Sequence, residues 1–294
     1  MGKLIKKCIY IIPLNEKRKN FTFNDDLIEK QYDFFLENID DDIKHEESLS
    51  KGNDSLNRYS NVKPYSFNLI NINNQKNYIN ASSINILKKN YFIATQGPID
   101  KTVEDFWTMI DENECKVIVM LCNIKENGNE KCAKYWDEEK QMKKYKITIQ
   151  NKTEKGKYII REIKLFNLSL KKEKIVYQIH FIAWPDHGVP KIEDGKIFNV
   201  FVEMIKKVDN YREDNPIVIH CSAGVGRTGT FISMYFLYKE IKTQIKNKEE
   251  KIYFNIFNLV RKLKEMRILS VQTCIQYQFI YYFVFYLLEK YNKR

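Results

Sequence analysis

Six stretches of the chain carry apolar side chains every three or four residues, the spacing that gathers them on one face of an α-helix. The first covers residues 25–39. A short second one follows Thr102, which with Asp105 resembles a capping box at a helix start. The other four come late, near residues 192–208, 227–244, 253–266 and 272–290. The pattern therefore predicts six helices, four of them in the last third of the chain.

Between these stretches, β-branched and aromatic residues form short runs, which is typical of β-strands. A run at Ile217–Ile219 predicts a buried strand directly before the helix at 227–244. The other runs lie near residues 66–72, 77–84 and 91–95, at Lys116–Leu121, and several times across 140–184, ending in Ile175–Trp184. Strands that mostly precede the helices favour an α/β fold (α+β in some schemes), with a central, highly twisted mixed sheet flanked by helices.

Length and composition favour a single folding unit. The chain has 294 residues, and its ten glycines and six prolines are spread thinly, with no internal repeat. The one weakly structured stretch is polar, from Asp40 to Asn57. We expect an N-terminal extension over residues 1–24, one domain over 25–290 and a short tail over 291–294.

Targeting and metal-binding patterns are not found in the sequence. The apolar runs Cys8–Leu14 and Phe279–Leu288 are shorter than the about 20 residues that cross a bilayer. Met1-Gly2 could begin a myristoylation signal, but Lys6 stands where serine or threonine is required. Six cysteines form no C-x-x-C pair, and four histidines lack metal-site spacing. We expect a cytoplasmic protein in a reducing compartment, without metal or cofactor.

The net charge of +11 is unevenly distributed. Residues 1–50 carry 8 basic and 11 acidic side chains, whereas the remainder carries 41 basic and 27 acidic ones. A basic region attracts dianionic phosphoesters, acidic peptides and, weakly, anionic membranes, although a soluble lysine-rich surface accounts for the charge equally well. Since no recognisable nucleic-acid module accompanies it, we expect no nucleic-acid partner.

The candidate chemistry lies in residues 218–229, where a glycine-rich turn follows the predicted strand and opens the next helix. Its backbone N–H groups and the helix dipole favour an anion, and Gly224 and Gly226 allow the turn that a phosphate cradle needs. The same field favours the thiolate form of Cys221, a nucleophile. Arg227 adds a planar fork that can hold two phosphate oxygens. The segment therefore combines a nucleophile with a phosphate clamp.

With His220 and Thr228 beside it, this segment resembles the H-C-x-x-G-x-x-R-[ST] signature of the cysteine-dependent protein tyrosine phosphatases. The resemblance implies that Cys221 is the nucleophile and Arg227 the phosphate clamp, while His220 and Thr228 support the thiolate. It also implies that the loop between Cys221 and Arg227 surrounds the phosphate with Ser222, Ala223, Gly224, Val225 and Gly226.

A tyrosyl leaving group needs a proton donor, and the run Trp184-Pro185-Asp186-His187-Gly188-Val189-Pro190 contains a single carboxylate. It resembles the mobile acid loop of the same family. Asp186 would then be the general acid and afterwards the general base, His187 would contact substrate, and Trp184 and Pro185 would shape the loop. Because an ordinary aspartate is ionised at neutral pH, we expect an apolar closed site or a neighbouring charge to keep its proton.

Two further segments resemble the family's substrate and water sites. Tyr59, in Asn57-Arg58-Tyr59, would form one aromatic wall of the substrate pocket. The pocket would then be too deep for a phosphoserine side chain to span. Asn61 stands where the family usually has an aspartate that binds the substrate backbone, and Leu269 stands where some members have glycine beside the pocket. Gln272 would position the hydrolytic water with help from Gln276.

Supporting motifs extend the resemblance over roughly residues 25–290. It implies that Glu126 holds Arg227 by a bidentate pair and that Lys131 contacts the acid loop, although surface ion pairs are the alternative for both. Asp137 replaces a proline that is usual in the family. A compact, lysine-rich chain of this kind is also similar to the stand-alone phosphatases of polydnaviruses.

These features predict phosphotyrosine hydrolysis in proteins through a cysteinyl-phosphate, which would counteract tyrosine kinases. We expect tyrosine-phosphorylated proteins as partners and a monomeric state. Two alternatives stay open. One is dual-specificity, phosphoinositide or RNA phosphatase activity, because the C-x5-R loop is common to these enzymes. The other is a phosphotyrosine-binding pseudophosphatase, although such proteins typically lack one of the residues that this chain keeps.

Overall fold

The computed structural model describes residues 10–13, 24–38, 52–74, 77–86, 91–193 and 195–292. Most of the expected extension over 1–24, much of the polar stretch Asp40–Asn57, and the last two residues of the tail lie outside this part. The described strands are β1 (Tyr10–Pro13), β2 (Leu69–Ile72), β3 (Asn77–Ile84), β4 (Phe92–Thr95), β5 (Val117–Met120), β6 (Lys125–Glu126), β7 (Asn129–Glu130), β8 (Glu139–Gln141), β9 (Tyr145–Glu154), β10 (Tyr158–Asn167), β11 (Lys172–Phe181), β12 (Ile217–His220) and β13 (Lys251–Phe254). The described helices are α1 (Asp25–Asn38), α2 (Val103–Glu112), α3 (Lys196–Arg212), α4 (Gly226–Lys246), α5 (Ile256–Met266) and α6 (Cys274–Asn292).

A nine-stranded mixed sheet with helices around it confirms the predicted fold class. Its strand order is β2-β3-β4-β12-β5-β11-β10-β9-β8. The four central strands, β4, β12, β5 and β11, run parallel, and the outer pairs are antiparallel. All four residues of β12 are buried, as expected for a strand covered on both faces.

The sheet topology places the candidate chemistry at one edge. His220, the last residue of β12, pairs with Thr95 at the end of β4 and with Met120 at the end of β5. Since parallel strands end at the same edge, Cys221 follows β12 between the segments that leave its two neighbours. The acid loop leaves the end of β11 at this edge as well.

Several sequence-based boundaries differ from the structure. The strand expected to reach Trp184 ends at Phe181, because its ladder stops where Phe181 pairs with Tyr158 at the start of β10. The helix expected near 192 begins at Lys196, after Gly195 with a φ of 69°. Residues 66–68 form a 3-10 turn before β2. The described part of the first helix is Asp25–Asn38, and its expected end at Ile39 lies outside the described residues.

The helix expected to begin at residue 253 is preceded by a strand that the sequence pattern did not indicate. Lys251–Phe254 forms β13 and pairs with β1, a partner about 240 residues earlier in the chain. Helix α5 begins only after Asn255, whose side chain accepts a hydrogen bond from the Asn258 amide at 2.8 Å.

The capping box expected at Thr102 and Asp105 is wrong. The Thr102 hydroxyl accepts from the Ile99 amide at 3.1 Å and donates to the Ile99 carbonyl at 3.2 Å. It is thereby committed to the 3-10 turn that precedes α2, and no side-chain cap is found at this helix start.

Helix α1 joins the same hydrophobic core as the sheet. Gln31, fully buried on α1, accepts hydrogen bonds from the hydroxyls of Tyr277 and Tyr281 on α6, at 2.7 and 2.6 Å. In the part of the chain that the structure covers, none of the helices combines the length and apolar character needed to cross a membrane.

Candidate active site

The turn between β12 and α4 wraps around the sulfur of Cys221. Its Sγ accepts hydrogen bonds from the Gly224 amide and the Thr228 hydroxyl, both at 3.3 Å. The residue is 5% exposed and lies at the N-terminus of a 21-residue helix. Donors and a helix dipole that point at a sulfur are the arrangement that stabilises a thiolate.

Gly224 is required by the shape of this turn. Its φ is +73°, and a Cβ atom there would lie 2.1 Å from the carbonyl oxygen of Thr95. Any side chain would therefore push the loop away from β4 and move the amide that bonds Cys221.

His220 acts on the loop through its backbone. Its Nδ1 lies 3.1 Å from the Cys221 carbonyl oxygen, which can only accept, so Nδ1 carries the proton. Its Nε2 then accepts from the Tyr135 hydroxyl at 2.8 Å. Burial lowers the pKa of His220 to about 3 and keeps the ring neutral. The predicted support of the thiolate is therefore indirect, since the ring holds the carbonyl and not the sulfur.

Arg227 is fixed in one plane by contacts on both of its terminal nitrogens. These nitrogens donate to the two carboxylate oxygens of Glu126, each at 2.7 Å, in the bidentate pair that the sequence suggested. Nη1 also donates to the Leu121 carbonyl at 3.1 Å, and Nη2 to the Pro185 carbonyl at 3.1 Å. The last contact joins the phosphate loop (residues 221–227) to the acid loop (residues 184–190).

Asp186 lies on the acid loop above the cavity, with its side chain 13% exposed. Lys131 contacts its Oδ1 at 2.9 Å, and the Asn127 amide donates to its Oδ2 at 2.8 Å. The Lys131 hydrogen bond holds the pKa of Asp186 below its usual range. This corrects the expectation that the surroundings keep Asp186 protonated, because the closest charge is a cation that favours the carboxylate.

Trp184 anchors the acid loop in the core. Its ring is buried and makes aromatic contacts with Phe181, Phe201 and Phe279. Its indole N–H donates to the Gly188 carbonyl at 3.2 Å, which closes the loop on itself.

A cavity of about 420 Å³ opens above Cys221. Tyr59 stands at one side, with its hydroxyl 2.8 Å from the Ser222 Oγ. The sequence-predicted residues that line the cavity are Tyr59, Asn61, Lys131, Asp186, His187, Cys221, Ser222, Ala223, Gly226, Arg227, Gln272 and Gln276. The predicted residues that do not line it are Glu126, Trp184, Pro185, His220, Gly224, Val225 and Thr228. The structure thus brings the predicted set together around one space.

The segment before Gln272 is strained and pressed against the phosphate loop. Leu269 and Val271 have φ values of 57° and 56°, which are unfavourable for side-chain-bearing residues and most so for a β-branched one. The Val271 amide donates to the Val225 carbonyl at 3.3 Å. The Gln272 amide donates to the Gln276 Oε1 at 3.0 Å, which places both glutamines at the cavity wall.

Arg267 is the main residue of the site that the sequence did not indicate. It is fully buried and donates to the carbonyls of Gly224 and Ala223, at 2.7 and 3.1 Å, and to Asn80 and Ser82, at 2.8 and 3.0 Å. Holding the loop carbonyls away from the cavity turns the loop amides toward it. Its position at the end of α5, among other lysines and arginines, carried no signal of burial.

Arg58 and Asn127 were also missed as parts of the site. Arg58 donates to the carbonyls of Gly97 and Pro98, at 3.1 and 2.8 Å, and pairs with Glu130 at 3.2 Å. These bonds support the segment that carries Tyr59.

Among the residues that the structure describes, no group of three or more histidine, cysteine or acidic side chains could hold a metal ion.

Comparison with known proteins agrees with this geometry. A family model described as protein-tyrosine phosphatase matches residues 53–286. Tyrosine-protein phosphatase non-receptor type 20 of Rattus norvegicus is 36% identical over 256 residues, which cover 85% of this chain and 58% of the relative. Receptor-type tyrosine-protein phosphatase H of Homo sapiens is 35% identical over 248 residues, or 81% of this chain and 21% of the relative. Tyrosine-protein phosphatase 99A of Drosophila melanogaster is 36% identical over 261 residues, which cover 83% of this chain and 19% of the relative.

The chain thus spans little more than half of the first relative and about a fifth of the other two. The match to the family model nevertheless includes the phosphate loop, the acid loop and both glutamines. On these grounds the chain belongs to the protein-tyrosine phosphatase family.

Proposed function

We propose that the protein hydrolyses phosphotyrosine in other proteins through a phosphate ester on Cys221. The observation that carries the proposal is the position of the Cys221 sulfur, which lies under the cavity with hydrogen bonds from Gly224 and Thr228. Arg227 and Asp186 stand beside the same space. A nucleophile, a phosphate clamp and a proton donor are the groups that transfer of a phosphoryl group to sulfur requires.

In the first step the Cys221 thiolate attacks phosphorus, the S–P bond forms and the bond from phosphorus to the tyrosyl oxygen breaks. The positive charge of Arg227 and the loop amides stabilise the three remaining oxygens as charge spreads over them. Asp186 gives its proton to the departing phenolate, which leaves as neutral tyrosine.

Substrate binding favours the protonated form of Asp186 that this step needs. In the free site Lys131 favours the Asp186 carboxylate. A bound phosphate dianion brings negative charge beside that carboxylate and opposes the lysine, so binding favours the protonated acid. Proton donation is then linked to occupation of the cavity.

In the second step water attacks phosphorus, the S–P bond breaks and Cys221 returns as thiolate. Asp186, now ionised, accepts the proton of the water. Gln272 and Gln276 line the cavity wall and are suited to hold that water by their amide groups. Inorganic phosphate is the second product.

Selectivity for tyrosine rests on Tyr59, which walls the cavity and sets its depth. A panel of substrates tests this: phosphotyrosyl peptide, phosphoseryl peptide, a phosphoinositide and 5′-phosphorylated RNA, each compared by kcat/KM. We expect the phosphotyrosyl peptide to exceed the others by at least about a hundredfold, because a short phosphoseryl side chain does not bring phosphorus to the sulfur. Higher activity on the lipid or the RNA would favour the alternative enzymes, and binding without turnover would favour a pseudophosphatase.

The variant Asp186→Ala is expected to lower kcat on phosphotyrosyl peptide by about a hundredfold, since the leaving phenolate loses its proton donor. Binding should persist, because Cys221 and Arg227 are retained. Steady-state kinetics and the Kd of a phosphopeptide measure both effects. Asp137→Ala is the matched control, since Asp137 is a surface aspartate paired with Lys134. Full turnover by Asp186→Ala would remove it from the mechanism.

The same variant, used as a trap for tyrosine-phosphorylated proteins in a lysate, would identify the substrates and show which kinase signals the protein opposes.

A cytoplasmic location, a monomeric state and a viral origin stay predictions.

A further inference from the structure

A two-residue turn, Asn127-Gly128, joins β6 to β7 beside the acid loop. Both residues have positive φ, 47° and 80°, and Glu126 pairs with Asn129 across the turn. Asparagine followed by glycine, both in the left-handed region, is the favoured two-residue hairpin turn, because its twist matches that of the strands. The backbone position of Asn127 is therefore specified locally.

This hairpin is anchored to the phosphate clamp. Glu126, which directly precedes the turn, bonds both terminal nitrogens of Arg227 at 2.7 Å. Its Oε1 also accepts from the Asn123 amide at 2.9 Å, and the Lys131 amide donates to the Ile124 carbonyl at 2.8 Å. The turn is thus held at a fixed distance from the phosphate loop.

From this position the hairpin reaches both oxygens of the acid. The Asn127 side-chain amide donates to Oδ2 of Asp186 at 2.8 Å, and the Lys131 ammonium contacts Oδ1 at 2.9 Å. Two donors from one rigid element, one for each oxygen, fix the plane of a carboxylate as well as its place.

We propose that Asn127 is a positioning residue for Asp186, which with Lys131 holds the acid loop over Cys221 from a single hairpin turn. The inference rests on the proposed function, because it concerns the proton transfer in that reaction. It assigns to the turn a role distinct from that of Glu126, which acts on Arg227.

The two donors differ in what they do when the acid changes its protonation state. Lys131 is a cation and strongly favours the carboxylate. The Asn127 amide is neutral and can donate to an oxygen of either the ionised or the protonated carboxyl group. Asn127 can therefore keep its contact through both steps, whereas the attraction of Lys131 is largest before the proton arrives.

The contact has a consequence for pH dependence. Lys131, Arg227 at 4.0 Å and His187 at 3.8 Å face the Asp186 carboxyl group, as does the carboxyl group of Glu126. Loss of the Asn127 donor removes one bond to the carboxylate, so the pKa of Asp186 rises. Since Asp186 acts when protonated, the fall of kcat/KM with rising pH moves to higher pH.

The test is Asn127→Gly, which removes the donor while glycine accepts the positive φ without strain. Asn129→Ser, on the next strand of the hairpin, is the matched control, and Lys131→Met is the comparator for loss of the charged donor. We expect Asn127→Gly to lower the maximal kcat/KM on phosphotyrosyl peptide about three- to tenfold and to shift the basic limb upward, by less than Lys131→Met. On an aryl phosphate whose phenol is strongly acidic, the kcat/KM of Asn127→Gly should stay within about twofold of the wild-type value, because that leaving group needs no proton.

Equal losses on both substrates would show a general disturbance of the site and overturn the inference, as would an unchanged pH profile and peptide rate in Asn127→Gly. Carbon-13 NMR titration of the Asp186 carboxyl group reads the contact without turnover, and a higher pKa in Asn127→Gly is expected. If wild type fails to hydrolyse phosphotyrosyl peptide, the proposed function is wrong. The catalytic role of the contact between Asn127 and Asp186 is then wrong as well. An active wild type with an unaltered Asn127→Gly variant rejects this inference alone.

Discussion

Cys221→Ser is expected to lower hydrolysis of a phosphotyrosyl peptide by on the order of 10⁵-fold, the scale seen when an enzyme loses its nucleophile. Serine keeps the shape of the loop, and its oxygen can accept the hydrogen bonds that Gly224 and Thr228 now give to sulfur. However, the serine hydroxyl stays protonated at neutral pH, whereas these donors and the helix stabilise the thiolate form of a cysteine. The variant therefore retains the phosphate site and loses the attacking group.

Binding and turnover separate under this prediction. The Kd of a phosphotyrosyl peptide for Cys221→Ser, measured by calorimetry, should stay within about tenfold of the wild-type KM, since Arg227 and the loop amides are intact. Cys274→Ser is the control, because Cys274 is a partly exposed cysteine that does not line the cavity. Wild-type rates in Cys221→Ser would mean that another group attacks phosphorus, and the proposed intermediate would have to be abandoned.

The parts of the site that the residues alone predicted are those whose function is contained in a short segment, whereas the pairing of Glu126 with Arg227, 101 positions apart, was implied by the family resemblance. The glycine turn, the cysteine and the arginine of residues 221–227 lie within one loop, so their spacing alone indicates a phosphate cradle. Asp186 is the one carboxylate of a single turn, and the resemblance of that turn to the family's acid loop gave it the role of general acid. In each case the local chain carries most of the geometry, and the fold only has to bring two such segments together.

The parts that were missed depend on contacts between distant residues. Arg267 and Gly224 are 43 positions apart, and Asn127 and Asp186 are 59 apart. Nothing near Arg267 in the sequence distinguishes it from the other basic residues of α5, because its burial depends on contacts with the phosphate loop and with β3. The lowered pKa of Asp186 has the same origin, since it depends on its contact with Lys131, which follows β7 on another part of the chain.

The errors in the fold also follow from distant pairing. Strand β13 is defined by β1 at the other end of the chain, so a local pattern gave the segment to a helix. The end of β11 is set by where β10 begins. Fold class survived these errors because it depends on the order of elements and not on their boundaries.

Arg267→Met is expected to destabilise the protein by about 3 kcal/mol, because the buried oxygens that accept hydrogen bonds from Arg267 lose their donor. Methionine fills a similar length without donors. The carbonyls of Gly224 and Ala223 and the side-chain oxygen of Asn80 would then be left unpaired in a dry interior, at about 1–3 kcal/mol each before relaxation. Urea unfolding, with equal slopes for variant and wild type, measures the loss.

The same change should act on the site as well as on the fold. Burial lowers the pKa of Arg267 to about 10, and a thiolate at Cys221 would oppose that fall. The charge of Arg267 and a thiolate at Cys221 thus attract each other, so the folded fraction of Arg267→Met should be alkylated at Cys221 more slowly at neutral pH. Arg261→Met is the matched control on α5. Its guanidinium is partly exposed and pairs with Glu265 one turn away, a contact worth about 0.3–0.5 kcal/mol. If Arg267→Met were no less stable than this control and its cysteine equally reactive, other contacts would have to orient the loop amides, such as the Gly97 amide that donates to the Ser222 carbonyl at 2.9 Å.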